Sequence, residues 1–340
     1  MTTSQPTRLI ATLSPVYTQD AMAELKGKTT VKEVFWVDTH TVLLESALPF
    51  SACTSRIWGA NPYFIRHLCP VTQEIEYAYD LEEIIAVIRE ILSGNAAHPI
   101  FQFRTVGAHI VPYTYKDIFE AISDVCIRES DTVHAQTPVL SVVLHEAHAY
   151  IGLSTIRENG NPWAGGMRHY KIGDDTISRA EFKLQEAMAL FALQLPAKGT
   201  AIDLGAAPGG WTAVLRRLGM KVVAIDPADL DERVANDSGV THMKMTADVA
   251  LLDIHDADCV VNDMRMEPFF STKIMNAAAA SLRSGAWAVM TLKLPHENPV
   301  PVIHAALKTL SKEYDCIAVR QLFHNRHEVM AILRKAQKKT

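Results

Sequence analysis

Residues 202–211 read Ile-Asp-Leu-Gly-Ala-Ala-Pro-Gly-Gly-Trp, a strand end, a glycine-rich turn and a helix start in one decapeptide. Before it, Gly199 to Ile202 runs apolar into Asp203; after it, Trp211, Val214 and Leu215 recur at helical spacing. Two kinds of nucleotide chemistry use such a turn. The dinucleotide fingerprint needs Gly-x-Gly-x-x-Gly, whose middle glycine lets the backbone approach a pyrophosphate. Here Gly205 is followed by Ala207 and Pro208. Proline contributes no amide donor, and no Lys-Ser or Lys-Thr follows to make a P-loop. The turn suits a nucleoside without phosphates, held against bare backbone.

S-adenosylmethionine is such a ligand, needing close backbone approach, a carboxylate for its ribose hydroxyls and polar groups around its amino-acid end. Lys221 to Ile225 supplies a second apolar strand ending at Asp226, about the ~20 residues past the first glycine where a ribose-binding acid is expected. Two further strand ends carry charge. Asp258 to Val261 runs into Asn262-Asp263, and Ala288 to Leu292 runs into Lys293. A lysine there is costly to bury unless paired. Open α/β sheets bind ligands at the carboxyl ends of their strands, so Asp226, Asp263 and Lys293 stand where that rule puts function.

The elements that position these groups alternate. Downstream of residue 178 the pattern predicts a helix over 178–193, the glycine turn, the second strand, a short strand near 242–245 and a strand over 258–261. A helix over 273–282, a strand over 286–292, a helix over 301–310 and paired strands over 316–321 and 328–333 follow. This is a Rossmann-like doubly wound parallel sheet with an antiparallel edge. The first half reads as α+β. Strands are predicted over 8–13, 34–37, 41–44, 100–105 and 139–151, and helices over 19–25, 80–92 and 115–127. Gly- and Pro-rich residues 159–173 mark the clearest linker. The expected division is 1–78, 79–158, a linker over 159–177, and 178–340.

A chain of 340 residues exceeds one ordinary core. No apolar run approaches the ~20 residues a membrane helix needs, and the first residues lack a signal-peptide pattern. No membrane association is expected. Five scattered cysteines without a Cys-x-x-Cys suit reduced thiols in a cytoplasm. The net charge of −5 is uneven: Lys+Arg against Asp+Glu is 10 against 17 in residues 1–150, and 23 against 21 in 151–340. Any nucleic-acid contact in the first half must therefore come from a local patch rather than an overall basic footprint.

Ser178-Arg179-Ala180-Glu181-Phe182-Lys183-Leu184, the Asp203 to Trp211 turn, Asn262-Asp263-Met264, Leu292-Lys293 and Arg326-His327-Glu328-Val329 together resemble the FtsJ-type ribose 2'-O-methyltransferases. The hallmark of that family is a Lys-Asp-Lys-Glu tetrad, which falls here on Lys183, Asp263, Lys293 and Glu328. The run 291–295, the run 320–329 and Asp263-Met264 with Pro268 following look more like the RlmM-type branch. Those enzymes methylate a cytidine ribose in bacterial large-subunit ribosomal RNA. The resemblance covers roughly residues 150 to 335. It implies S-adenosylmethionine as cofactor and RNA as partner, as ribosomal RNA or an assembling large subunit, with a THUMP-like RNA-binding module over 79–158. DNA is not expected, since the 2'-hydroxyl separates the two polymers.

For the cofactor, the family pattern carries over to Gly205, Ala207, Pro208, Gly209 and Gly210 in the turn, to Asp226 on the ribose, to Asp248 near the adenine, and to Ser178. Asp263 lies close to both reactants. Trp211 is either a cofactor wall or, as its spacing favours, helix packing. Lys293 faces the hydroxyl, either as a base or as a charged stabiliser. His145-Glu146-Ala147-His148 looks like a zinc-protease signature but has its imidazoles three apart in a predicted strand, pointing to opposite faces. No metal is expected. The basic stretch 334–339 reads as a solvated tail. Competing readings are a methyltransferase of another RNA or of a non-RNA acceptor, and a non-catalytic RNA-binding assembly factor.

Overall fold

The computed structural model describes residues 6–76, 80–94, 97–107, 112–130 and 134–337. The chain divides into two units, Met1–Arg168 and His169–Thr340. Lys338 and Lys339 of the basic tail and the first five residues lie outside the described set.

Unit 1 begins with β1 (Thr7–Leu13), α1 (Thr18–Lys28), β2 (Val31–Trp36), β3 (Thr41–Ser46), α2 (Phe50–Gly59) and β4 (Ile65–Val71). These strands form an antiparallel sheet in the order β2-β3-β1-β4. A second sheet follows, from β5 (Gln73–Glu76), α3 (Leu81–Leu92), β6 (Ile100–Thr105), α4 (Tyr115–Ile122), β7 (Pro138–His145) and β8 (His148–Thr155), in the order β5-β8-β7-β6 with β6 and β7 parallel. The one-turn α5 (Ile156–Asn159) closes it. Ile10, Leu43 and Cys69 of the first sheet share a core with Val143 and Tyr150 of the second.

Three expectations in this half need correction. The predicted strand over 139–151 is a hairpin, because Glu146 turns the chain at φ +52° and sets His145 directly opposite His148. The two histidines are cross-strand partners on one face, not residues on opposite faces. Among the described residues, no group of three or more His, Cys, Asp or Glu is placed to hold a metal. Helix α4 stops at Ile122 rather than 127, since Val125 and Cys126 bond back to the Ile122 carbonyl and Ile127 bridges to Ile100. Finally, residues 159–166 are packed within unit 1: Asn159, Asn161 and Trp163 are buried. Gly165 and Gly166 turn there at φ +62° and +68°, and a Cβ on Gly166 would come within 2.9 Å of the Arg66 carbonyl oxygen.

Unit 2 runs through α6 (Glu181–Leu190), β9 (Thr200–Leu204), α7 (Gly210–Arg217), β10 (Lys221–Ile225), α8 (Glu232–Ala235), β11 (Val240–Met243), α9 (Ala247–Ala250) and β12 (Ala257–Asn262). It ends with α10 (Pro268–Ala278), β13 (Leu282–Lys293), α11 (Pro299–Leu310), β14 (Tyr314–Arg320) and β15 (Glu328–Lys335). The sheet order is β11-β10-β9-β12-β13-β15-β14. Strands β9 to β13 are parallel neighbours, and β15 alone runs against β13 and β14. The reversed strand therefore sits one in from the edge. Helix α10 starts five residues before its predicted position, with Glu267 capping it and Pro268 in the first turn.

Strand alternation fixes what lies on each face. Cys259 and Val261 of β12, Val289 of β13, and Met330 and Ile332 of β15 pack with Leu184 of α6 and Val214 and Leu215 of α7. The same parity continues upward to Asp263, to Thr291 and Lys293, and to Glu328. On the other face, the Asn262 side chain reaches Ser271 and Met275 of α10. Order reverses between β9 and β12, so the topological switch point falls at the glycine turn. Among the described residues, no helix is long and apolar enough to cross a membrane.

Candidate active site

Register brings the four charged residues together. Lys293 ends β13 and is paired across the sheet with Glu328, which opens β15. Asp263 follows β12 directly, and Lys183 reaches in from the first turn of α6. Lys293 Nζ donates to Asp263 Oδ1 at 2.7 Å, to Thr291 Oγ1 at 2.7 Å and to Glu328 Oε2 at 2.6 Å. Lys183 Nζ lies 3.1 Å from Asp263 Oδ2 and 2.6 Å from Glu328 Oε1. Each carboxylate thus spans both ammonium groups, and the four charges sum to zero.

Their side chains are 18% (Lys183), 15% (Asp263), 24% (Lys293) and 8% (Glu328) exposed, so the cluster is desolvated but reachable. Burial works against the Lys183 ammonium, yet Asp263 and Glu328 outweigh it and hold its pKa above the ordinary lysine value. Burial likewise works against the Asp263 carboxylate, and Lys293 and Lys183 together outweigh it and hold it below the usual range. Beneath them burial pushes the Asp203 carboxyl up to about 7, against the Thr212 hydroxyl that donates to it.

The glycine turn stands beside this cluster. Gly205 adopts φ +74°, and a Cβ there would lie 2.5 Å from Met264 Cγ, the residue after Asp263. Ala207-Pro208 is a cis peptide, and Gly209 at φ +111° leads into α7. A Cβ on Gly210 would fall 2.3 Å from Ser178 Oγ. Asp226 directly follows β10 and accepts from the amides of Ala207 at 3.1 Å and Ala228 at 2.8 Å. Each carboxylate oxygen keeps a second lone pair, which leaves acceptor capacity for a diol. Ser178 Oγ is buried without a hydrogen-bond partner, a polar atom left over beside Gly210. Bare backbone, one carboxylate with acceptor capacity left and one unmatched hydroxyl fit S-adenosylmethionine.

Trp211 is 3% exposed in the core, and its indole N–H donates to the Ala180 carbonyl at 2.8 Å, which gives it the packing role. Asp248 lies exposed in the first turn of α9.

Three groups were not singled out from sequence. Thr291 donates to Asp263 at 2.7 Å while accepting from Lys293, and its two-residue offset from Lys293 on one strand face was the available signal. Glu181 is buried and accepts from the Ile177 amide at 2.6 Å and from Arg217. Glu186, fully buried, accepts from the amides of Phe323 and His324 at 2.8 and 2.9 Å and so clamps the β14–β15 loop onto α6.

Residues 176–338 match the model of the FtsJ-like methyltransferases. The chain is 31% identical over 211 residues to the ribosomal RNA large subunit methyltransferase M of Methylococcus capsulatus, covering 58% of each protein. It is 31% identical over 191 residues to the like-named protein of Halorhodospira halophila, covering 55% of each, and 32% identical over 188 residues to that of Laribacter hongkongensis, covering 51% of this chain and 52% of that one. The chain thus spans a little over half the length of the curated relatives it matches. With its doubly wound sheet and its glycine turn at the switch point, the segment from residue 176 to residue 338 is similar to the FtsJ-like methyltransferases.

Proposed function

We propose that this protein transfers a methyl group from S-adenosylmethionine to a ribose 2'-hydroxyl of RNA, with large-subunit ribosomal RNA, free or in an assembling particle, as substrate. The observation that carries the reading is the closed Lys183-Asp263-Lys293-Glu328 cluster beside a turn suited to a phosphate-free nucleoside. The printed names of the relatives support the acceptor. Five free cysteines fit a reducing cytoplasm. The THUMP-like reading of residues 79–158 rests on the small α/β build around β6, β7 and β8.

Bound S-adenosylmethionine supplies a methyl on a sulfonium. Asp226 and the amides of the turn would hold its nucleoside, and Ser178 would offer a hydroxyl beside α7. Lys293 meets three oxygens, and only an ammonium has three N–H donors. This supports the charged form, and it assigns Lys293 to stabilising as a point charge the negative charge that grows on the acceptor oxygen, with donation to that oxygen requiring Lys293 to give up one of its three present partners. Lys183 reinforces that field and fixes both carboxylates. Asp263, held below the usual carboxylate range, is a weak proton acceptor, so the hydroxyl proton passes to water. Once bound, the cofactor would supply the methyl and carry its sulfur away as a neutral thioether, so the transfer balances without a further reactant.

The test is incubation with methyl-labelled S-adenosylmethionine and unmodified large-subunit ribosomal RNA, beside protein and metabolite fractions, followed by digestion to nucleosides. A labelled 2'-O-methylnucleoside is the expected product. Label confined to a base, or to a non-RNA fraction, overturns the reading.

A further inference from the structure

We infer that unit 2 carries a nucleobase-stacking pocket beside α6 and β15, two of the elements that carry the charged cluster, formed by Tyr170, Phe182, Phe323 and His324 with Arg179 and Arg326 in its lining. It holds one base of a single-stranded RNA segment, and the guanidinium groups meet that strand's phosphates. The inference rests on the reading of RNA as acceptor.

The cavity measures about 300 Å³, the low end of ligand-pocket sizes. Its rings form a connected set: Tyr170 stacks on Phe182 at 5.3 Å and 14°, and His324 lies 5.4 Å from Tyr170 and 5.3 Å from Phe182. Phe323 meets His324 edge-on at 5.0 Å. Such a cluster is ordinarily packing, and Phe182, 5% exposed, serves that purpose. The other rings, though in contact with one another, keep part of their surface uncovered. Tyr170, Phe323 and His324 are half-buried, Arg179 and Arg326 are exposed, and Ile172 lines the space while 68% exposed.

An open aromatic cavity with two cations matches a nucleic-acid strand, whose bases offer π-faces and whose backbone offers charge. Rigidity strengthens the match. The buried Glu186 carboxylate holds the amides of Phe323 and His324, Asn325 Oδ1 accepts from the Leu322 amide at 2.9 Å, and Gln321 donates to the Arg326 carbonyl at 2.7 Å. The wall is therefore set before a ligand arrives. Phe182 immediately precedes Lys183, and Arg326 stands two residues before Glu328. A base in this pocket is gripped by α6 and by the loop that leads into β15, the elements that carry half of the charged cluster.

The experiment measures binding of an unstructured ten-nucleotide RNA to the full-length protein by fluorescence anisotropy across a salt series. Wild type is compared with Phe323→Leu, Phe323→Trp, His324→Ala and Arg326→Ala, with S-adenosylmethionine binding and melting temperature as controls. Phe323→Leu and His324→Ala are expected to weaken binding at least about fivefold at unchanged salt slope, and Phe323→Trp to retain it. Arg326→Ala is expected to lower the slope by about one. Cofactor binding and melting should stay at wild-type values. Wild-type RNA affinity in all these variants, or no RNA binding by the wild type at low salt, overturns the pocket. Methyl transfer to RNA with wild-type KM in every variant removes the pocket and leaves the acceptor reading intact. Loss of RNA binding in the variants of a protein that methylates no RNA preserves the pocket and removes the acceptor reading.

Discussion

Lys293 donates to three oxygens and Lys183 bridges two carboxylates, so each member of the cluster neutralises its neighbours. Removing one partner from a buried ion pair leaves a charge uncompensated, at a cost of about 3–5 kcal/mol when burial is complete. Partial exposure here places Asp263→Asn at or below the lower end, measurable by urea denaturation. Thr291→Val removes one hydrogen bond to Asp263, worth about 1 kcal/mol, and is expected to lower kcat roughly fivefold with cofactor affinity unchanged. Stability has a defined pH window. Asp263 has a folded-state pKa below 3.8, so its contribution is present above 3.8 and is lost as pH falls through the folded value. Lys183 has a folded-state pKa above 10.5, so its contribution is present below 10.5 and is lost as pH rises through the folded value. Denaturation midpoints of wild type minus Lys183→Met should therefore differ by a constant amount between those limits and converge above them.

At the scale of elements, strand parity does the positioning. Asp263, Thr291, Lys293 and Glu328 all continue the parity of residues that pack under α6 and α7, and Lys183 needs only the first turn of α6 to reach them. Gly210→Ala places a methyl 2.3 Å from Ser178 Oγ. It is expected to weaken S-adenosylmethionine binding at least tenfold by calorimetry, whereas Gly27→Ala, with nothing within 4 Å, should leave binding untouched. Much of this unit was legible because β10, β12 and β13 each end in an apolar run that leads into a charged residue, Asp226, Asp263 and Lys293. Strand β4 was not legible: Ile65–Val71 carries Arg66, His67 and Pro70, which break both the apolar run and the alternation. Tertiary partners accept them instead, His67 meeting Gln102 at 2.9 Å. The hairpin at Glu146 was missed for a related reason, since a non-glycine at φ +52° leaves no mark in the sequence. Thr291 was passed over because a single threonine inside an apolar run is ordinary strand composition.

For the whole molecule, the acidic balance of residues 1–150 and the charged cluster in residues 169–340 belong to different units. Cofactor binding should therefore act on unit 2: at about 100 times Kd it adds roughly 2.7 kcal/mol to whatever it binds. Hydrogen exchange is expected to slow in β9, the glycine turn and α7, and to remain unchanged across β1 to β4. The central claim is that Lys293 serves transfer and not cofactor binding. The most direct test is a single-turnover reaction of wild type and Lys293→Ala with methyl-labelled S-adenosylmethionine and unmodified large-subunit ribosomal RNA, with cofactor Kd measured on both. The expected result is a ribose-methylated nucleoside from wild type, a rate at least about a hundredfold lower for the variant, and equal Kd values; a variant that transfers at the wild-type rate, or that loses the cofactor along with its activity, contradicts the account.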